Sequence, residues 1–258
     1  MKEQTVDVLT QDGIMKTFVT HPEEGGSFPP IVLFMDIWGL RAELYDIARR
    51  LAAEGFACIL PDLYYRQGEG AHNEFRDEHG RMISLHRLDE AREKQVHELR
   101  HKVTGAQMME DTGHLLTLID EHAAMRAGPV GSIGWCMGGW LALAAAGHYP
   151  DRFQAGASLH GTRLISDTPD SPHLLADRFR GELYCGFGEL DHLSPPPMAE
   201  ELATLLEPCA VDYRWSMHKG VEHGYALPDR DIYDSRAAAR DWEMIHAMFR
   251  RVFGGFEN

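Results

Sequence analysis

Gly134-Trp135-Cys136-Met137-Gly138-Gly139 sets a cysteine in the turn between two apolar segments. The run before it, Val130-Gly131-Ser132-Ile133, reads as a short buried strand, and Trp140-Leu141-Ala142-Leu143-Ala144-Ala145-Ala146 reads as a helix of small apolar residues. A side chain held at the tip of a sharp strand-to-helix turn is strained, and bulky neighbours would collide with the adjoining strand and helix. That accounts for glycine on both sides of Cys136. The amino terminus of the following helix offers free N–H groups and a positive dipole end, which favour a thiolate or an oxyanion at this spot. The plainer alternative is a tight turn containing an ordinary buried cysteine.

The remaining cysteines do not share this setting. Cys58 and Cys185 lie inside the apolar runs 56–60 and 183–187 and read as core residues, while Cys209 follows a proline near a helix end. Neither C-x-x-C spacing nor a disulfide framework is present. The chain has 258 residues, 44% of them hydrophobic, ample for a sizeable core. Its formal charge of −15 supplies no basic stripe to neutralise phosphates, which argues against a nucleic-acid partner. Met1–Val6 lacks an apolar signal-peptide core and no later run approaches membrane-spanning length, so a cytoplasmic location without membrane association is expected. No H-E-x-x-H or comparable ligand spacing calls for a metal, and nothing calls for a cofactor.

Outward from the turn, strand and helix patterns alternate. Asp12-Gly13 marks a hairpin within 6–19, and Pro29-Pro30 introduces the apolar run 31–35. Leu44, Ile47, Ala48 and Leu51 fall at helical spacing within 41–54, and Gly55 closes that helix before a strand at 56–60. Further strands are expected at 153–159, 183–187 and 211–215, with helices at 198–206 and 237–253. Alternation of this kind predicts an α/β fold with a largely parallel, doubly wound sheet, an N-terminal antiparallel hairpin and helices on both faces. No repeat or linker divides the chain, so 1–258 is expected to form a single domain. Residues 66–104 are dense in charge and histidine, with helical spacing at Leu88, Val96, Leu99 and Val103. They read as a surface excursion, partly helical, that either connects through solvent or caps a pocket.

A nucleophilic Cys136 requires a base, an orienting acid and oxyanion donors. In a parallel sheet these belong on loops at the carboxyl ends of strands. Asp191 follows the strand 183–187, and His223 lies in Gly220-Val221-Glu222-His223-Gly224-Tyr225 after the strand 211–215. His160 and His192 compete as base and Glu189 competes as acid; Asp191 could also serve as a turn cap before Ser194-Pro195. Most of the fifteen histidines, among them His72, His79, His86, His97 and His101, fall in the polar excursion and are expected to be solvated.

Phe34-Met35-Asp36-Ile37-Trp38-Gly39, Leu60-Pro61-Asp62-Leu63-Tyr64, the Cys136 hexapeptide, Gly188-Glu189-Leu190-Asp191-His192 and Gly220–Gly224 occur in the order of one family. Across nearly its whole length the chain resembles the dienelactone hydrolases of the α/β-hydrolase fold. The resemblance implies a carboxymethylenebutenolidase-like ester or lactone hydrolase with a Cys136–His223–Asp191 triad and an acyl-thioester intermediate. It also implies oxyanion donors at the backbone N–H groups of Ile37 and Met137, each worth roughly 3 kcal/mol. The small ester or lactone would be bound by a monomer or homodimer, with Trp38, Trp135, Tyr225 and Arg230 expected to contact it. In the lactone hydrolases of this family the residue matching Asp36 is a glutamate that helps to form the thiolate; Asp36 is one methylene shorter, so it either reaches Cys136 in that supporting role or shapes its loop. A substrate-clamping arginine of the family falls at Leu227 here, leaving Arg230, Arg66, Arg76, Arg81 and Arg163 as other cations. A broad carboxylesterase or thioesterase with no carboxylate requirement, or a noncatalytic binding protein on the same fold, are the alternatives.

Overall fold

A computed structural model describes residues 1–254 of the chain, so residues 255–258 of the expected domain lie outside the described residues. Eight strands form one sheet: β1 (Lys2–Thr10), β2 (Gly13–His21), β3 (Pro30–Phe34), β4 (Ala57–Pro61), β5 (Val130–Trp135), β6 (Phe153–Leu159), β7 (Glu182–Gly188) and β8 (Asp212–His218). Six α-helices accompany them: α1 (Ala42–Ala53), α2 (Glu90–His101), α3 (Gly105–Glu121), α4 (Met137–His148), α5 (Pro196–Leu206) and α6 (Ser235–Phe253). The strand order is β1-β2-β4-β3-β5-β6-β7-β8; the β1–β2 hairpin joins antiparallel, and β4 to β8 pair in parallel through β3, β5, β6 and β7.

The central strands β3, β4 and β5 are buried at every position, as parallel strands covered on both faces must be. Helix α4 is buried from Met137 to Gly147, so its small residues let it lie close across the sheet. The chain leaves β3 in one direction to β4 and later returns to β5 on its other side. Strand order therefore reverses between β3 and β5, and the crevice at their carboxyl ends is where an open α/β sheet receives ligands. Among the described residues no helix is long and apolar enough to cross a membrane.

Most elements exceed the periodic stretches expected from sequence by a few residues. The hairpin is the largest case: it is registered from Lys2↔His21 to Thr10↔Gly13, well beyond 6–19. Strand β1 is an edge strand exposed along most of its length, held by backbone pairing without an apolar signature. Within the excursion, α2 covers only Glu90–His101, leaving Leu88 and Val103 outside the helix. Val96 and Met82 form a small separate core with Trp38, joined by Phe75 and Leu85. A short bridge pairs Met82 with Arg230, and the Met82 N–H donates to the Asp229 carbonyl at 2.7 Å.

The root of the excursion is tied down by charge. Arg66 donates to both carboxylate oxygens of Asp111 on α3, at 2.6 and 2.9 Å, and Tyr65 donates its hydroxyl to the same carboxylate at 3.0 Å. Asp111 is fully buried, so deleting Arg66 removes the cation that compensates its carboxylate, whereas Arg66 is also paired with Asp12 at 2.6 Å. Arg66→Ala is expected to lower the unfolding free energy by about 3 kcal/mol, read by urea denaturation.

Candidate active site

The turn around Cys136 is packed backbone against backbone. A Cβ on Gly134 would lie 2.0 Å from the Gly138 carbonyl oxygen, and one on Gly138 would lie 2.1 Å from the Phe34 carbonyl oxygen. Neither position admits a side chain. Cys136 itself sits at φ 56°, in the left-handed region that non-glycine residues avoid. The strain is held by its own peptide: its N–H donates to the Leu159 carbonyl, and its carbonyl accepts from Gly139, Trp140 and Thr162. The side chain is 9% exposed at the base of a cavity of about 350 Å³.

His223 and Asp191 meet beside it. His223 Nδ1 lies 2.7 Å from Asp191 Oδ2, and Asp191 Oδ1 accepts from the N–H groups of Leu193 and Ser194 at 2.8 and 3.1 Å. Asp191 thus caps its own turn and binds the imidazole with its other oxygen. The buried His223 Nε2 has no partner in hydrogen-bonding geometry, while the Cys136 sulfur is near enough to act on the ring's charge. Burial opposes a cation on His223, but the neighbouring Cys136 side chain and the Asp191 carboxylate outweigh it and push the pKa up to about 10.

The rival residues take other places. Glu189 accepts from the Gly220 N–H at 2.8 Å and holds that turn. His192 lines the cavity. His160 is fully buried, with both ring nitrogens lacking hydrogen bonds and its ring centroid 4.9 Å from that of His223. Burial, then the neighbouring His223 and Arg230 charges, hold its pKa well below the ordinary imidazole value.

Ile37 follows β3 and Met137 opens α4, both on the cavity wall. Among the described residues, no protein acceptor takes the backbone N–H of either one. The Tyr64 hydroxyl donates to the Ile37 carbonyl at 3.0 Å and reaches the Met137 sulfur at 3.7 Å, tying together the two segments that carry these amides. Asp36 is fully buried and turned toward arginine. It accepts from Arg41 Nη1 and Nη2 at 2.8 and 3.0 Å and from the Trp38 N–H at 3.1 Å. Arg41 in turn binds Asp229 at 2.6 Å. This arrangement braces the loop after β3, and among the described residues no hydrogen bond joins Asp36 to Cys136.

Arg230 stands in the cavity wall with Nη1 3.7 Å from Asp36 Oδ2 and its guanidinium carbon 5.2 Å from the Trp38 ring centre. Its buried Nε has no partner. Trp38 and Arg163 also line the cavity, whereas Trp135 and Tyr225 pack in the main core away from it. Leu227 is fully buried. Arg66, Arg76 and Arg81 are engaged by Asp111, Glu74 and Asp77 and lie outside the wall.

Helix α2 supplies Glu93, His97, Arg100 and His101 to the wall, spaced one turn apart along one face, and Ser84, Leu85 and His86 join them. The expectation that His86, His97 and His101 are merely solvated is therefore incomplete: His86 and His101 are exposed and His97 half-buried, and all three line the pocket. Trp140, in the first turn of α4, also lines the cavity, whereas its sequence pattern indicates only a helix residue beside the glycines of the turn. Among the described residues no group of three or more His, Cys, Asp or Glu is disposed to hold a metal.

Comparison with known proteins places these features in context. A protein of Synechocystis sp. named "Putative carboxymethylenebutenolidase" is 24% identical over 97% of both chains. A Bradyrhizobium protein named "Probable 2-oxo-3-(5-oxofuran-2-ylidene)propanoate lactonase" is 23% identical, over 92% of this chain and 89% of its own. Among solved structures, a "Putative Dienelactone Hydrolase" from Klebsiella pneumoniae superposes with a TM-score of 0.82 at 23% identity, covering 97% of this chain and 98% of that one. A dienelactone hydrolase-like promiscuous phosphotriesterase from metagenomic libraries gives 0.72 at 21% identity, over 97% and 98%; both establish the α/β-hydrolase fold. The model of the dienelactone hydrolase family matches residues 15–253, and the chain belongs to that family of ester and lactone hydrolases.

Proposed function

We propose that this protein hydrolyses a small lactone or ester through Cys136, His223 and Asp191, with 1–258 acting as one domain whose 66–104 segment roofs the site. The observation that carries this reading is the 2.7 Å bond from His223 to the buried Asp191, with the other imidazole nitrogen left free beside Cys136. Asp191 fixes the ring so that Nε2 holds the proton it shares with Sγ while sulfur adds to the substrate carbonyl. The resulting oxyanion receives the Ile37 and Met137 N–H groups. Collapse breaks the C–O bond, the leaving oxygen takes the proton from Nε2, and an acyl-thioester remains. Water then gives a proton to Nε2 and attacks the thioester carbon. The C–S bond breaks, releasing the carboxylic acid, and the sulfur recovers its proton.

The wall supports a substrate with an apolar body and an anionic end. Ile37, Trp38, Met137 and Trp140 offer apolar surface near the nucleophile, and Arg230 adds a cation to the same wall. A neutral-ester specificity is the second reading, favoured by Leu227, a buried apolar residue at the position where the family resemblance implies an arginine.

Cys136→Ala is expected to reduce ester turnover at least about 10³-fold, and mass spectrometry of a quenched reaction should find the acyl group on the Cys136 peptide alone. Acylation of another residue would reject the assignment. Arg230→Gln should raise KM for a carboxylate-bearing lactone about tenfold or more while leaving a neutral aryl ester within about twofold. Equal effects on both would favour the neutral-ester reading. The raised pKa of His223 links charge to stability. Protonation of the ring favours the folded state, so its contribution is whole below the free imidazole value of about 6.5 and is lost as pH rises through about 10. The unfolding free energy of the protein minus that of His223→Gln should therefore shrink across that window in urea titrations.

A further inference from the structure

A second carboxylate–histidine pair lies buried outside the cavity. Asp241 of α6 is fully buried, and its Oδ1 accepts from the Tyr184 hydroxyl of β7 and from His218 Nε2 at the end of β8, each at 2.6 Å. Its Oδ2 accepts from the Tyr225 hydroxyl, also at 2.6 Å. These three donors engage both carboxylate oxygens, and the buried Cys185 thiol lies within reach of the same charge. Burial first, then the Asp241 charge, holds the Tyr184 and Tyr225 hydroxyls well above the usual phenol pKa, so both remain donors. The sheet makes room for this cluster. A Cβ on Gly186 would lie 2.6 Å from the Tyr225 hydroxyl and 2.7 Å from Asp241 Oδ1.

The cluster continues toward the catalytic ring. Tyr225 is two residues beyond His223, and its ring centroid is 5.5 Å from that of His160, which in turn is 4.9 Å from His223. Among the described residues neither ring nitrogen of His160 has a hydrogen-bond partner, so packing between Tyr225 and His223 locates its ring. The acid-bearing turn is fastened to the same loop: the Glu189 N–H donates to the His218 carbonyl and the Leu190 N–H to the Val221 carbonyl, each at 2.9 Å.

We propose that Asp241 is a positioning residue for His223: its carboxylate fixes Tyr225, whose ring fixes His160, whose ring backs the catalytic imidazole. This rests on the Cys136–His223–Asp191 reading. Small displacements of a base carry large penalties in rate, about 10²-fold for an ångström. A carboxylate receiving three donors in a dry site permits little movement.

The test compares the full-length protein with Tyr225→Phe, Asp241→Asn and His223→Ala, using p-nitrophenyl acetate turnover, thermal midpoints and the imidazole ¹⁵N titration of His223. Tyr225→Phe removes one hydroxyl and should fold. The expected result is a kcat loss of about tenfold to a hundredfold with KM within about twofold, and a downward shift of the His223 titration. Asp241→Asn should act in the same direction and more strongly, because an amide donates where three donors converge. If it does not fold, Tyr225→Phe alone decides. A lower thermal midpoint with kcat and the His223 titration unchanged would overturn the proposal and leave Asp241 a purely structural group. Unchanged turnover in His223→Ala would instead overturn the triad, separating that failure from this one.

Discussion

The close crossing of three backbones beneath Cys136 is the constraint on which the rest depends. Gly134 of β5 touches the Gly138 carbonyl of α4, and Gly138 touches the Phe34 carbonyl of β3. Two strands and a helix therefore meet without intervening side chains. That contact brings the segments carrying the Ile37 and Met137 amides to one cavity wall and lifts the cysteine between them. A single methyl group at either glycine would push apart the parts that must converge, whatever the quality of the hydrophobic core.

Around this crossing, the polar groups are arranged so that each buried charge has an opposite. Asp36 and Asp229 flank Arg41, and Arg230 stands at the edge of the same group. Removing charges from water is expensive unless partners and hydrogen bonds replace it. The bidentate Arg41–Asp36 pair meets that condition on its own, which leaves Arg230 only loosely engaged. The tight part of the network shapes the loop after β3, and the loose part is the one that faces the cavity.

The elbow and the strand alternation were legible in sequence because each follows from local chemistry, while the choice of Asp191 with His223 over Glu189, His160 and His192 rested on the family resemblance. Glycines flank the cysteine, apolar runs alternate with helical spacing, and the acid and histidine follow predictable strand ends. The hairpin was shortened because edge strand β1 carries little apolar periodicity. The pocket wall from α2 was obscured for a related reason. Glu93, His97, Arg100 and His101 form a polar stripe, and a polar stripe facing a cavity has the same periodicity as one facing solvent. Arg41 and Asp229, 188 residues apart, had no local signal at all. Tyr64 lay within a recognisable motif, but its hydroxyl contact with Ile37 exists only once β4 and β3 are side by side.

The bridge between Met82 and Arg230 gives the cavity wall an unusual dependence on two remote parts of the gene. Residues 82–84 and 229–231 are sewn together, with the Ser84 hydroxyl and the Asp231 N–H also crossing the seam. Exchanging the roof for that of a relative, as a route to new substrates, would therefore break this seam unless the 229–231 segment travelled with it. The two pieces form one heritable module, although nearly 150 residues separate them along the chain.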